Sequence, residues 1–168
     1  MKNQRQPEVC SNCGAPVKFV NSDYAFTESG LKNVVLAGVS VAACRICGNR
    51  DVEIEALEEV LRRIALEVIA QPHRLSGDEI RFLRKHCGLT QASFAALLHA
   101  HVTTVSKWEN SDDIPGEQSD RLIRTVALAM GEGLQGKLTD VVRGFPAIKK
   151  TLRRSKIVIG AIGGPVAA

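Results

Sequence analysis

The sequence predicts an α+β fold, a small β-rich unit in front of an all-α one. Three observations lead there. Val17 to Ala43 is a series of short apolar runs broken by Asn-Ser, Ser-Gly and Ala-Gly turns. Two Cys-x-x-Cys pairs, "CSNC" and "CRIC", flank that stretch. From Glu53 onward, apolar residues recur at helical rather than strand spacing.

The front unit is read from its cysteines. Cys10 and Cys13 are followed, after thirty residues, by Cys44 and Cys47, and a glycine (Gly14, Gly48) comes directly after each pair. Each pair bends back on itself, and a hairpin between the pairs brings four sulfurs to one tetrahedral site. Four thiolates in a reducing environment point to one structural Zn2+, with iron second. With all four positions filled by protein ligands, no place is left for an activated water, so the metal is a folding element. The alternatives are accidental turns or a redox Cys-x-x-Cys, but redox chemistry gives no role to a duplicate pair. The lone Cys87 in "KHCG" reads as an inert, partly buried thiol.

Next comes an amphipathic helix over 53–70, with Ile54, Leu57, Leu61, Ile64 and Val68 on one face. The acidic face from Glu53 to Glu67 is solvent-facing, with contact to a basic partner as the sharper reading. "QPHRLSG" stops the helix at its proline and serves as a linker, so the zinc-binding domain spans 1–71 and the second domain 72–147.

In the second domain, "LTQASFAALLHAHVTTVSKWEN" holds two short helices around a polar turn. Leu83, Leu89, Phe94, Ala95, Leu98, Val105 and Trp108 mark one buried surface, and Thr90 is placed to cap the first of these two helices. Gln91 then stands at a positive helix end, suited to a phosphate. Small Ala95 admits a close crossing, and His99 to His101 form the turn, histidine being among the few residues that tolerate a left-handed backbone. Burying Val105 and Trp108 turns Val102, Thr103, Ser106 and Lys107 outward. This is the arrangement of a helix-turn-helix that enters the DNA major groove, where Lys107 can donate to guanine and Thr103 can meet a thymine methyl or a base-edge donor. Arg84 and Lys85 join Gln91 as phosphate contacts. The alternative is a helical hairpin used only for packing or dimerisation. All four histidines read as polar surface. On the last strong helix, Leu122, Ile123, Val126 and Met130 are core by default and a dimer seam otherwise. Leu134 to Gly144 is a weak helix, and 148–168 a basic then apolar tail without structure. Its closing "PVAA" has the small-residue character that bacterial proteases recognise.

Composition narrows the class. With 45% hydrophobic and 24% charged residues among 168, neither wholesale disorder nor membrane residence is indicated. "IVIGAIGGPVAA" is far shorter than the roughly 20 residues that span a bilayer. The first ten residues lack the apolar core of a secretory signal, which places the chain in the cytoplasm. The net charge of +4 is uneven, with −4 over 51–70 and +5 over 131–168, and by itself says little about nucleic acid. No Ser/His/Asp set, carboxylate pair or phosphate loop is visible, so no catalytic residue is assigned and the chain reads as no enzyme.

The stretch from Leu89 to Asn110 resembles the Xre/Cro-type helix-turn-helix, whose pattern runs Leu-Thr-Gln, a buried Ala, a turn Gly, then Thr-Val-Ser-x-Trp-Glu. The order of the halves resembles the MqsA-like antitoxins, a YgiT-type zinc domain with two Cys-x-x-Cys pairs followed by this motif. The resemblance covers about residues 8–130. It implies a homodimeric transcriptional repressor on a palindromic operator, whose zinc domain neutralises a ribonuclease toxin. In that family the positions of Thr103 and Lys107 read bases. This chain departs at His99, where glycine is usual, at Thr103 and Lys107, where Asn and Arg are commoner, and in its extra tail. A stand-alone regulator of the same build, without a toxin, is the other reading.

Overall fold

A computed structural model of the chain describes residues 9–54, 56–111, 113–131 and 155–160. It is α+β, as expected. Strands β1 (Val17–Ala25) and β2 (Val34–Cys44) form an antiparallel hairpin, joined by a single 3-10 turn over Thr27–Ser29. The register shifts between Ser22 and Tyr24, where β2 carries an extra residue beside Gly38 with φ of 65°. The other edge of β2 is shared by two short strands. Antiparallel β3 (Arg50–Val52) pairs with Val41–Ala43, and parallel β4 (Ile157–Gly160) pairs with Val34–Ala37.

Strand β4 corrects the expectation of a structureless tail at these four residues. Ile157 and Ile159 point inward and are buried, while Val158 faces out, so the strand alternates as a half-buried strand must. Asn33 fixes the approach by donating to the Ser155 carbonyl at 2.8 Å. The helix foreseen over Leu134 to Gly144 lies outside the described residues.

Helix α1 (Leu57–Ala70) starts a turn later than its periodicity suggests. The chain is held extended through Val52 by pairing with β2, and Ala56 then turns it into the helix with a left-handed backbone, φ 52° and ψ 48°. Its buried face is Val60, Ile64, Ala65, Val68 and Ile69; of the face the periodicity marks, Ile54 and Leu61 pack against the core partly buried and Leu57 lies exposed. Helices α2 (Gly77–His86), α3 (Gln91–Leu97), α4 (Val102–Asn110) and α5 (Glu117–Met130) complete the order.

The stretch expected to be a linker is an interior crossing. Gln71, His73 and Leu75 are all buried. Arg124 of α5, fully buried, donates to the carbonyls of Ile69, Gln71 (3.0 Å) and His73 (2.5 Å), thereby satisfying free carbonyls at the end of α1. Asp120, one turn earlier, neutralises it at 2.8 Å and accepts the Leu75 N–H at 2.7 Å. His73 is no surface residue. It is 1% exposed and shares a hydrogen bond of 3.1 Å with buried Glu79. His86 is half-buried beside the ring of Phe82, and its Nε2 is without a hydrogen-bond partner. One contiguous hydrophobic cluster therefore runs from Phe26 and Leu36 through α1 and β4 to Phe94, Trp108, Ile123 and Leu128.

Candidate metal centre and nucleic-acid interface

The two cysteine pairs fold into matching turns. Gly14 donates its N–H to the Cys10 carbonyl at 2.9 Å and Gly48 to that of Cys44 at 3.1 Å; both glycines have φ above 70°, conformations a side chain disfavours. Cys44 closes β2 opposite Val17 of β1, so the hairpin itself brings the second turn against the first. The Cys10 and Cys47 sulfurs are 3.6 Å apart, as are those of Cys13 and Cys44, and all four lie within 4.8 Å of one another. Four sulfurs at about 2.3 Å from one zinc ion sit about 3.8 Å apart in a regular tetrahedron. The separations thus fit a single ion.

The acid–base balance points the same way. Backbone N–H groups of Cys47 and Ile46 hold the Cys44 thiol below its ordinary value, and that of Asn49 does the same for Cys47. Cys13 receives the Ala15 N–H, which favours its thiolate, yet its three sulfur neighbours push it up to about 12. Crowded thiolates repel, and a divalent cation removes that conflict. Around the sulfurs, Asn49 donates to Cys10 Sγ at 3.8 Å and to Asp51 at 2.9 Å, and Ser11 donates to Asp51 at 2.6 Å. These contacts orient the first turn against β3.

In the helical half, Ser76 and Glu79 form a reciprocal capping box at the start of α2. Thr90 caps α3, accepting the Ser93 N–H at 3.1 Å. His99 adopts a left-handed backbone at the turn, φ 47°, which frees the chain to begin α4 at a new angle. Phe94, Ala95, Leu98, Val105 and Trp108 are buried, and Leu89 packs against them. Val102, Thr103 and Lys107 are exposed along α4, with Ser106 half-buried on the same face.

Two of the expected phosphate contacts are engaged inside the protein. Arg84 is 9% exposed; it grips Glu109 with two hydrogen bonds of 2.6 and 3.0 Å and donates to the Leu89 carbonyl at 2.8 Å. Gln91 is half-buried, one of the two N–H groups of its amide donating to Glu109 at 2.8 Å. Lys85 alone of the three is exposed. Burial opposes ionisation of Glu109, but the hydrogen bonds from Arg84 and Gln91 prevail and hold its carboxyl below the usual range. Arg81 adds bonds to the Glu109 carbonyl and to Asn110. The result ties the C-terminal end of α4 to α2 and α3. Gly77 lets α2 begin against this end: a Cβ there would meet the Trp108 carbonyl oxygen at 2.5 Å.

Sequence reasoning missed Arg84 and Glu109 as a pair because they are 25 residues apart and share no period. It also missed His101 as the cap of α4, whose Nδ1 accepts the Thr103 N–H at 3.3 Å.

Residues 80–123, from α2 into α5, match the helix-turn-helix family model. No curated protein and no solved structure matches the chain. The chain thus carries a DNA-binding helix-turn-helix of the transcription-regulator type beside a four-cysteine cluster fit for zinc. Among the described residues no helix is long and apolar enough to cross a membrane.

Proposed function

We propose that the protein is a sequence-specific transcriptional repressor and the antitoxin of a type II toxin–antitoxin pair, active in the cytoplasm. Residues 72–147 bind DNA and residues 1–71, built on Zn2+ held by Cys10, Cys13, Cys44 and Cys47, receive a ribonuclease toxin. The observation that carries the DNA reading is the exposed row Val102, Thr103 and Lys107 on a helix anchored from behind by Val105, Trp108 and Glu109. A helix held rigidly on one side and open on the other suits insertion into the major groove. Lys107 donates to guanine O6 or N7, and Ser106 lies along the same face. Phosphate contacts come from Lys85 and from backbone at helix ends. A homodimer on a palindromic operator places two such helices one DNA turn apart. What supports the antitoxin reading is the order of the two motifs, a four-cysteine unit ahead of a helix-turn-helix. Nothing in the site performs catalysis on this reading.

A footprint on the gene's own upstream region, at two salt concentrations, tests it. Wild type is expected to protect a two-fold symmetric site, and Lys107→Ala to keep weak, salt-sensitive binding without the protected site. Equal affinity of wild type and variant for every sequence would refute base reading. Co-expression with the neighbouring reading frame decides the partner: relief of growth arrest supports the antitoxin, and a harmless neighbour leaves a stand-alone regulator.

A further inference from the structure

We infer that His101 sets the hydrogen-bonding polarity of Thr103, restricting the base that Thr103 reads to one presenting an amino group, adenine N6 or cytosine N4. The inference rests on α4 being the helix that meets the bases. A threonine hydroxyl is ordinarily ambiguous: with one proton and two lone pairs it can donate to guanine or thymine, or accept from adenine or cytosine.

Here the ambiguity is removed from behind. The Thr103 backbone N–H, in the first turn of α4, donates to His101 Nδ1 at 3.3 Å. That capping bond takes Nδ1 as its acceptor, so the geometry leaves no proton on Nδ1. Thr103 Oγ1 lies 2.8 Å from the same Nδ1. Two acceptors cannot rest at that distance without a proton between them, and the hydroxyl alone has one to give. It therefore points at His101, and only oxygen lone pairs face outward.

Serine at the capping position would not do this, because its hydroxyl can cap the helix and also donate to Thr103. Lys107, four residues further along the same exposed side, has donors only. The two outward readers are thus of opposite polarity, Thr103 suited to an amino group and Lys107 to guanine O6 or N7.

The experiment uses the full-length zinc-loaded protein. Bound duplexes are selected from a random pool, and affinities are measured with each of the four base pairs at every position of the selected site. Wild type is expected to favour adenine or cytosine over guanine or thymine about tenfold at one position per half-site, the effect of trading one hydrogen bond for an unsatisfied acceptor. Thr103→Val should flatten that position alone to within about twofold. His101→Ser, which keeps a good helix cap, should also relax it to about twofold while Trp108 fluorescence and thermal unfolding stay those of wild type. A full tenfold amino preference in His101→Ser would overturn the role of His101, and a keto preference in wild type would overturn the polarity. Selection of no motif at all would refute the DNA reading itself, and this inference with it.

Discussion

Replacing Arg124 tests most directly how the two halves are joined. Its guanidinium is 0% exposed, donates to the carbonyls of Ile69, Gln71 and His73, and is matched by Asp120, itself 1% exposed. Arg124→Ala leaves Asp120 as a buried anion with the Leu75 N–H as its remaining described partner. It also strips the three carbonyls of their common donor. Removing one member of a buried pair costs about 3–5 kcal/mol, a large part of the roughly 5–15 kcal/mol by which domains are stable. At about 2–4 °C per kcal/mol, the melting temperature should fall by about 6–20 °C. Trp108, 8% exposed and the only tryptophan, reports the change by fluorescence in urea. Asp120→Leu combined with Arg124→Met should cost less than the sum of the single changes, since no charge is then left unpaired. A loss below about 1 kcal/mol for Arg124→Ala, or strict additivity in the cycle, would refute the buried crossing as a structural joint.

Other expectations follow from the same contacts. Ile157→Ala removes a 2% exposed side chain from beneath β4 and should cost about 2–5 kcal/mol in urea unfolding; a neutral effect would mean the strand is not docked. Acid should weaken the fold: Glu79 and Glu109 are both held below the usual carboxylate range, burial opposing the shift and hydrogen bonds from His73 and Ser76, or from Arg84 and Gln91, outweighing it. The unfolded chain then takes up protons first, so stability is full above about pH 5 and falls as pH drops below about 4.3. Glu109→Gln should make that acid limb shallower in urea titrations, and an unchanged slope would discount the carboxylate. Metal analysis should find one Zn2+ per chain, none in Cys13→Ser/Cys47→Ser, and chelation should abolish the β-sheet signal in circular dichroism.

Much of the site is legible in the chain because its determinants are local. A Cys-x-x-Cys-Gly turn closes within five residues, and the Gly14 and Gly48 bonds to Cys10 and Cys44 are made inside that span. The Thr90 cap reaches three residues to Ser93, and His99 takes its positive φ within the turn itself. The period of α1 is legible too: Ile54, Leu61, Ile64 and Val68 lie in or against the core, and of the expected face Leu57 alone is exposed.

What the sequence by itself determined, then, is the pair of cysteine turns, the capped short helices and the outward row on α4, all of them fixed by neighbours within a few positions. Only the tertiary structure decided that Arg84 is held inside by Glu109, 25 residues on, that Arg124 seals the end of α1 from 55 residues away, and that the segment after Ser155 joins β2. Such pairings depend on which surfaces are buried together. Burying a charge costs its hydration, which only partners from distant segments repay, and parallel strands come from far apart in the chain, so no periodicity along it records where those contacts fall.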